Sequence, residues 1–397
     1  MKRCLTHLVF AVVTVAVVLG ALEVASRLAY VVVSGSWYPW WVCSPDLGWD
    51  RRANFSGQIF GARREFDADG FFRVDSDQRR RRSNETRIVL LGDSCTFGNG
   101  VETARTYGEI LDDLLSNSAV LNLATPGFSS LQGLKSLKMH IDALSPDIIT
   151  VAFNFNDRRC VPEHRLTDGA GRFEHTDCPE LLDAVFLARS IKHMLIWVFE
   201  KTRTNVSSLD ALYPRVSARE YATNLASIVR LARSRGASVI FIGMSDNPLS
   251  SQPLYRGIES LSSNDLDAAI EQLAPIAQDI ESAYSLLGKR YLAAAYEKKG
   301  MRARAAEVQM IRVSCSLHGG SPIFPDWEYS GVMRRVAQRL DVLFIDAGSI
   351  LSQDPACFID YCHFDGTGHQ TIATLIFEAI LRSREIQPTE QVRGALR

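Results

Sequence analysis

Five short apolar runs, Ile88 to Leu91, Val120 to Leu123, Ile148 to Phe153, Ser238 to Ile242 and Val342 to Ile345, are bounded by glycines and small polar residues. Their shortness and nearly unbroken apolarity predict strands buried on both faces. Helical periodicity fills the intervals. It is clearest from Ser217 to Arg235, where Tyr221, Leu225, Ile228, Val229 and Ala232 fall on one face. Ser217 and Glu220 have the spacing of a capping box at its start, and Gly236 stands where such a helix stops. Strand and helix in alternation predict an α/β fold, a parallel sheet covered by helices on both faces. Functional groups in such sheets collect at the carboxyl ends of the strands.

The pattern changes at the N-terminus, where Lys2 and Arg3 precede "LTHLVFAVVTVAVVLGAL", a run without acidic residue or lysine until Glu23. Its length suits a membrane-spanning helix. No A-x-A site follows and the apolar region is long for a signal peptide, so the reading is an uncleaved anchor. Positive charge ahead of the span predicts a cytoplasmic N-terminus with everything after it outside, and "SWYPWW" (Ser36 to Trp41) supplies aromatics suited to a membrane interface. The expected organisation is an anchor over 1–33, a small β-rich collar over 34–86 and a main domain over 87–390. Two segments interrupt that domain. One, 158–212, contains "SIKHMLIWVFE" (Ser190 to Glu200), a packed helix or a lid; the other, 255–312, reads as helical throughout. Its stretch Leu286 to Val308 resembles part of a tetratricopeptide repeat. One repeat cannot bury its own core, so it is expected to pack on the sheet, with a protein-partner surface as the sharper reading.

Composition adds little except by exclusion. The 397 residues are 46% hydrophobic and 22% charged with a formal net charge of −1, which leaves no electrostatic footprint for nucleic acid. The basic run Arg79 to Arg82 lies among acidic residues and reads as a solvated loop. Outside the cytoplasm, Cys160 with Cys178 and Cys357 with Cys362 become plausible disulfides, although spacing does not fix connectivity. Cys357, Cys362, His363 and His369 match no familiar zinc spacing, so no metal site is expected.

Chemistry enters where the first strand stops at Gly92-Asp93-Ser94, a turn able to hold a hydroxyl above the sheet edge. A serine there needs a base and oxyanion donors to become a nucleophile. Gly127 follows the second strand, Asn156 the third, and Asp360 stands three residues before His363 ahead of the last helix. His369, four residues after Asp365, is a rival base but lies where that helix begins, and is read as a packing residue. Cys95 has no neighbour in sequence that would activate it. Arg215 could approach an anionic substrate, and is read as a surface residue.

These blocks resemble those of the SGNH, or GDSL, hydrolase superfamily: Gly92-Asp93-Ser94, Gly127, Asn154-Phe155-Asn156-Asp157 and Asp360-Tyr361-Cys362-His363. The resemblance covers about residues 87–157 and 215–385, and Asp46 to Trp49 is similar to a "DLGW"-like element of anchored bacterial members. It implies a flavodoxin-like sheet and a serine esterase or deacylase. Ser94 would be the nucleophile, His363 the base and Asp360 its orienting acid, with Ser94 N–H, Gly127 N–H and the Asn156 amide as oxyanion donors and no cofactor or metal. The implied substrate is an acyl, O-acetyl above all, ester of an extracytoplasmic glycan or lipid. An O-acyltransferase with a membrane partner would use the same residues. A non-catalytic binding protein is the third reading, kept open by Asn154, which stands where the family has glycine.

Overall fold

The computed structural model describes residues 2–36, 38–72, 85–161, 167–168, 205–206, 213–279, 282–309, 311–312, 323–324 and 326–383. The basic run 79–82, the stretch 190–200 and Cys178 lie outside them. The chain opens with a long helix, α1 (Lys2–Ser34). Among the described residues it is the one helix long and apolar enough to cross a membrane, over Phe10–Val32. Its apolar side chains stand exposed, Phe10 at 72% and Val32 at 86%, as expected of a segment whose apolar solvent would be lipid.

Two antiparallel pairs follow, β1 (Trp41–Ser44) with β2 (Gly48–Arg51) and β3 (Ser56–Ile59) with β4 (Ala62–Glu65). Their apolar side chains point inward. Phe55, Ile59, Phe66 and Phe72 bury themselves around Phe97 and Ala124 of the main domain, while Leu47 and Trp49 join its central core.

The main sheet contains β5 (Thr86–Gly92), β6 (Ser118–Asn122), β7 (Ile148–Ala152), β8 (Ser238–Ile242) and β9 (Leu343–Ile345). Among the described residues its five strands run in the order β9-β8-β7-β5-β6, with every neighbouring pair parallel. Alternation along β5 assigns its two faces. Val89 and Leu91 enter one core, Ile88 and Leu90 the other. The first core is closed by α4 (Ser130–Leu144), α5 (Ala218–Ser234) and α10 (Asp326–Leu340), the second by α3 (Tyr107–Leu114), α11 (Ala347–Leu351) and α12 (Gly366–Ser383). The expected helix from Ser217 is α5, and its capping box is formed, the Ser217 hydroxyl accepting from Glu220 N–H while Glu220 bonds back to Ser217 N–H. β6 starts at Ser118, two residues before the apolar run. Pairing with Thr86 and Arg87 of β5 extends it through Ala119 to Ser118.

A helical subdomain, α6 (Pro248–Ser262), α7 (Leu266–Gln278), α8 (Ser285–Lys298) and α9 (Arg302–Gln309), leaves the sheet after β8. It has its own core, including Leu254, Leu273, Leu287 and Tyr296, which accounts for so long an insertion staying ordered. Phe155 and Tyr361 pack against both that core and the sheet's second core, and ion pairs add to the attachment. Arg158, 1% exposed, makes a two-pronged ion pair with Asp246 just ahead of α6 and donates to the Phe324 carbonyl at 2.7 Å. Asp326, the first residue of α10, lies 4.0 Å from the same guanidinium and accepts from the Asn154 amide. The two carboxylates and the neighbouring tyrosines raise the Arg158 pKa against the desolvation that opposes them. Removing the cation would strand the buried Asp246 and take the charge away from beside the half-buried Asp326. Arg158→Met is expected to lose about 3–5 kcal/mol of unfolding free energy in urea titration.

Candidate active site

β5 ends in a turn too tight for any side chain at position 92. A Cβ on Gly92 would lie 2.0 Å from Thr96 Oγ1 and 2.9 Å from the Ala152 carbonyl. The short helix α2 (Ser94–Phe97) starts at once, and its N-cap is Asp93, whose carboxylate accepts from Cys95 N–H at 3.0 Å. Capping by Asp93 leaves the Ser94 hydroxyl free of that duty. Aromatics of the two hairpins pack around Phe97, and Arg64, also 1% exposed, donates to the carbonyls of Gly98 and Val101 at 2.7 and 2.6 Å. Burial lowers the Arg64 pKa to about 10 despite Glu102 and Glu109.

The loop before α12 carries the partner group. His363 Nε2 lies 2.8 Å from Ser94 Oγ, and His363 Nδ1 lies 2.7 Å from Asp360 Oδ2. The other oxygen of Asp360 accepts from the backbone N–H groups of Cys362 and His363 at 2.8 and 2.7 Å, so one carboxylate fixes both loop and ring. Desolvation pushes the Asp360 pKa up. The His363 hydrogen bond and charge, together with those two N–H groups, outweigh it and hold the carboxylate below its ordinary value. Ser94 and His363 are half-buried and so open to a reactant.

Asn156 is joined to this set through Asp93, its Nδ2 donating to Asp93 Oδ2 at 3.0 Å. Burial raises the Asp93 pKa, partly offset by Cys95 N–H, His363 and Asn156. Asn154 is not among the residues of positive φ. An L side chain therefore sits there without strain, and its amide ties β7's end to Asp326 and Ser330 of α10.

Gly127 occupies the neighbouring turn after β6, which Thr125 N–H fastens to the Gly92 carbonyl at 3.3 Å. Its φ of +83° favours glycine, and a Cβ would meet the Trp49 ring at 2.9 Å. Two residues hold the turn from outside. Trp49 Nε1 donates to the Pro126 carbonyl at 3.1 Å, and Arg215 Nη1 to the Gly127 carbonyl at 2.7 Å. Arg215 is therefore not at the surface as the sequence suggested. It is 1% exposed, stacked 5.4 Å over Trp49, ion-paired with Asp168 at 2.8 Å and bonded to Gln132. The "DLGW" element was visible in sequence, but its hold on a turn 77 residues away was not.

His369 lies elsewhere. It is 1% exposed, its Nδ1 accepting from Tyr107 N–H at 3.2 Å at the start of α3. Burial, aided by the Arg64 charge, lowers its pKa to about 3. The cysteines also correct the sequence reading. Cys357 does not face Cys362, since its thiol points to the Asp354 carbonyl at 2.8 Å. Beside Asp360 and Tyr361 runs an open cleft of about 810 Å³ against α6 and α7, with Asn247, Arg256, Gln272 and Tyr284 on its walls.

The family described as GDSL-like Lipase/Acylhydrolase matches residues 90–283. Residues 90–283 carry a GDSL-like lipase/acylhydrolase domain of the SGNH superfamily. The matched stretch contains Ser94, Gly127 and Asn156 and ends before the loop of Asp360 and His363. Among solved structures, the chain is similar to a lipase/acylhydrolase from Enterococcus faecalis at 16% identity, covering 77% of this chain and 99% of that one with a TM-score of 0.40. It is also similar to an acetylxylan esterase from Geobacillus stearothermophilus, at 15% identity over 75% and 96% of the two chains with a TM-score of 0.34. A third is the psychrotrophic esterase from Pseudoalteromonas sp., at 10% identity over 75% and 98% with a TM-score of 0.38. No curated protein matches the chain.

The buried imidazole of His369 links stability to pH. Its folded pKa of about 3 lies below the ordinary 6.5, so only the unfolded chain takes up a proton between those values. This contribution to stability is full above pH 6.5 and falls as pH drops, by at most about 1.4 kcal/mol per pH unit. His369→Asn keeps an acceptor for Tyr107 N–H and removes the titration. Between pH 6.5 and pH 4 its unfolding free energy is expected to fall less steeply than the wild type's in parallel denaturant titrations.

Proposed function

We propose that the protein is a serine esterase or deacylase in which Ser94, His363 and Asp360 act as a catalytic triad. The observation that carries this reading is the unbroken chain of hydrogen bonds from Asp360 through His363 to Ser94, at 2.7 and 2.8 Å. Ser94 Oγ attacks the ester carbonyl while His363 Nε2 takes its proton, and Asp360 steadies the imidazolium. His363 returns that proton to the leaving alcohol, giving an acyl-Ser94 ester. A water, deprotonated by the same imidazole, then releases the acid and restores the serine.

Ser94 N–H, Gly127 N–H and the Asn156 amide are the donors for the oxyanion. The holds on each support this assignment: Asp93 steadies the Asn156 amide, Arg215 and Trp49 the Gly127 turn, and Arg64 the far end of the Ser94 turn. Donors fixed before the reaction need no reorganisation during it. The engaged side chain of Asn154 supports an intact rather than a decayed site.

The substrate we favour is an O-acetylated glycan outside the cytoplasm. α1 is read as an uncleaved anchor, with Lys2 and Arg3 on the cytoplasmic side and the remaining chain beyond the membrane, in the periplasm of a bacterium. Asn247, Arg256 and Gln272 on the wall of the cleft beside Asp360 and Tyr361 supply hydrogen-bonding groups for a polyhydroxylated substrate.

Turnover of an aryl acetate and acetate release from acetylated polysaccharide test the reading. Ser94→Ala and His363→Ala are each expected to lose at least about 10⁴-fold in kcat. Asn156→Ala is expected to lose about 100- to 1000-fold, in kcat rather than KM. Equal rates for wild type and Ser94→Ala would remove the serine from the reaction.

A further inference from the structure

The residue after Ser94 and the residue before His363 are both cysteines, and the fold brings their side chains together across 267 positions of sequence. The two sulfurs lie within 4.8 Å of each other, and the Cys95 thiol donates to the Cys362 carbonyl at 3.3 Å. Both are buried, Cys95 at 6% and Cys362 at 3% exposure, beneath the triad. Cys357, the nearest alternative in sequence, is turned toward the carbonyls of Leu351 and Asp354.

We propose that Cys95 and Cys362 are joined in the mature protein by a disulfide bond that fastens the Ser94 turn to the His363 loop. Two buried sulfurs already within 4.8 Å of each other are placed as the partners of such a bond must be. The oxidant is a protein or small-molecule disulfide, of the kind available outside the cytoplasm, and in this respect the proposal rests on the placement argued above. One thiol loses its proton and attacks the donor disulfide, releasing a donor thiol. The other cysteine, also deprotonated, attacks the resulting mixed disulfide and releases the second. Two electrons pass to the donor, and Cys95 and Cys362 lose two protons.

The surroundings suit a permanent staple better than a switch. A hydrogen bond with Cys362 lowers the Cys95 pKa, but burial and the charges of Asp93 and Asp360 raise it to about 11, and burial raises that of Cys362 well above the ordinary thiol value. Folded, the pair offers little thiolate for exchange, so the bond forms while the two loops are still meeting. A cross-link spanning most of the main domain restricts the unfolded chain strongly.

The test uses the full chain in detergent, reduced in denaturant, refolded in a mixture of oxidised and reduced glutathione, alkylated and digested. The expected result is a peptide containing Cys95 linked to one containing Cys362, with both cysteines protected from alkylation. Deep reduction is expected to lower the Tm by about 5–10 °C, whereas the Cys95→Ala, Cys362→Ala double variant shows no response to reductant. Peptide mapping of the wild type decides the matter even where that variant does not fold. Free thiols at both positions, a Cys357–Cys362 link, or a bound zinc ion lost together with both thiols' protection on chelation would each overturn the proposal. Mapping requires no turnover, so an inactive enzyme with the link intact would count against the esterase reading alone. A linked peptide after refolding, with only free thiols in chain taken from its own membranes, would overturn both the bond in the cell and the extracytoplasmic placement.

Discussion

The site depends on one constraint, that two turns 269 residues apart in sequence stand 2.8 Å apart in space. A hydrogen bond contributes only about 0.5–1.5 kcal/mol net, far too little to gather a chain of this length. The sheet does the gathering. Parallel strands place all their carboxyl ends on one edge, and the order β9-β8-β7-β5-β6 sets the turn of Ser94 between those of Gly127 and Asn156. Apolar side chains on both faces of β5 hold that arrangement, and the loop of His363 is delivered by α12 packing on the second face.

Polar residues then set the finer positions. Arg64, Arg158 and Arg215 are among the largest fully buried side chains. A guanidinium out of water is costly unless it finds acceptors. Here the matches are turn carbonyls and carboxylates: Gly98 and Val101 for Arg64, Asp246 and Phe324 for Arg158, Gly127 and Asp168 for Arg215. Each cation thereby immobilises backbone that surrounds the reacting groups. The hairpins ahead of the sheet belong to this support, since Arg64 and Trp49 come from them. The helical subdomain is clamped by Arg158 and forms one wall of the cleft beside Asp360.

What sequence could reveal follows from the range of the forces involved. The strands and the helix after Ser217 were legible because burial on two faces and a capping box are written into residues a few positions apart. The turn at Gly92-Asp93-Ser94 and the Asp360-to-His363 spacing were legible for the same reason. Arg215 was misread because its partners, Asp168, Gln132 and Gly127, lie 47 to 88 positions away and leave no local period. Cys362 was read with its sequence neighbour Cys357, whereas the fold sets it beside Cys95. Asn154 looked like a defect because it stands where the resembled family has glycine. Its ordinary φ and its bond to Asp326 make it a connection to α10.

The central claim is that the Ser94 hydroxyl is made nucleophilic by His363. Trapping with a fluorophosphonate tests it most directly, because the reagent phosphonylates a serine only when a neighbouring base activates it. The account predicts a single adduct per chain, located on Ser94 by peptide mass spectrometry, and its disappearance in folded His363→Ala. An adduct on another residue, or none on correctly folded wild-type protein, would contradict it.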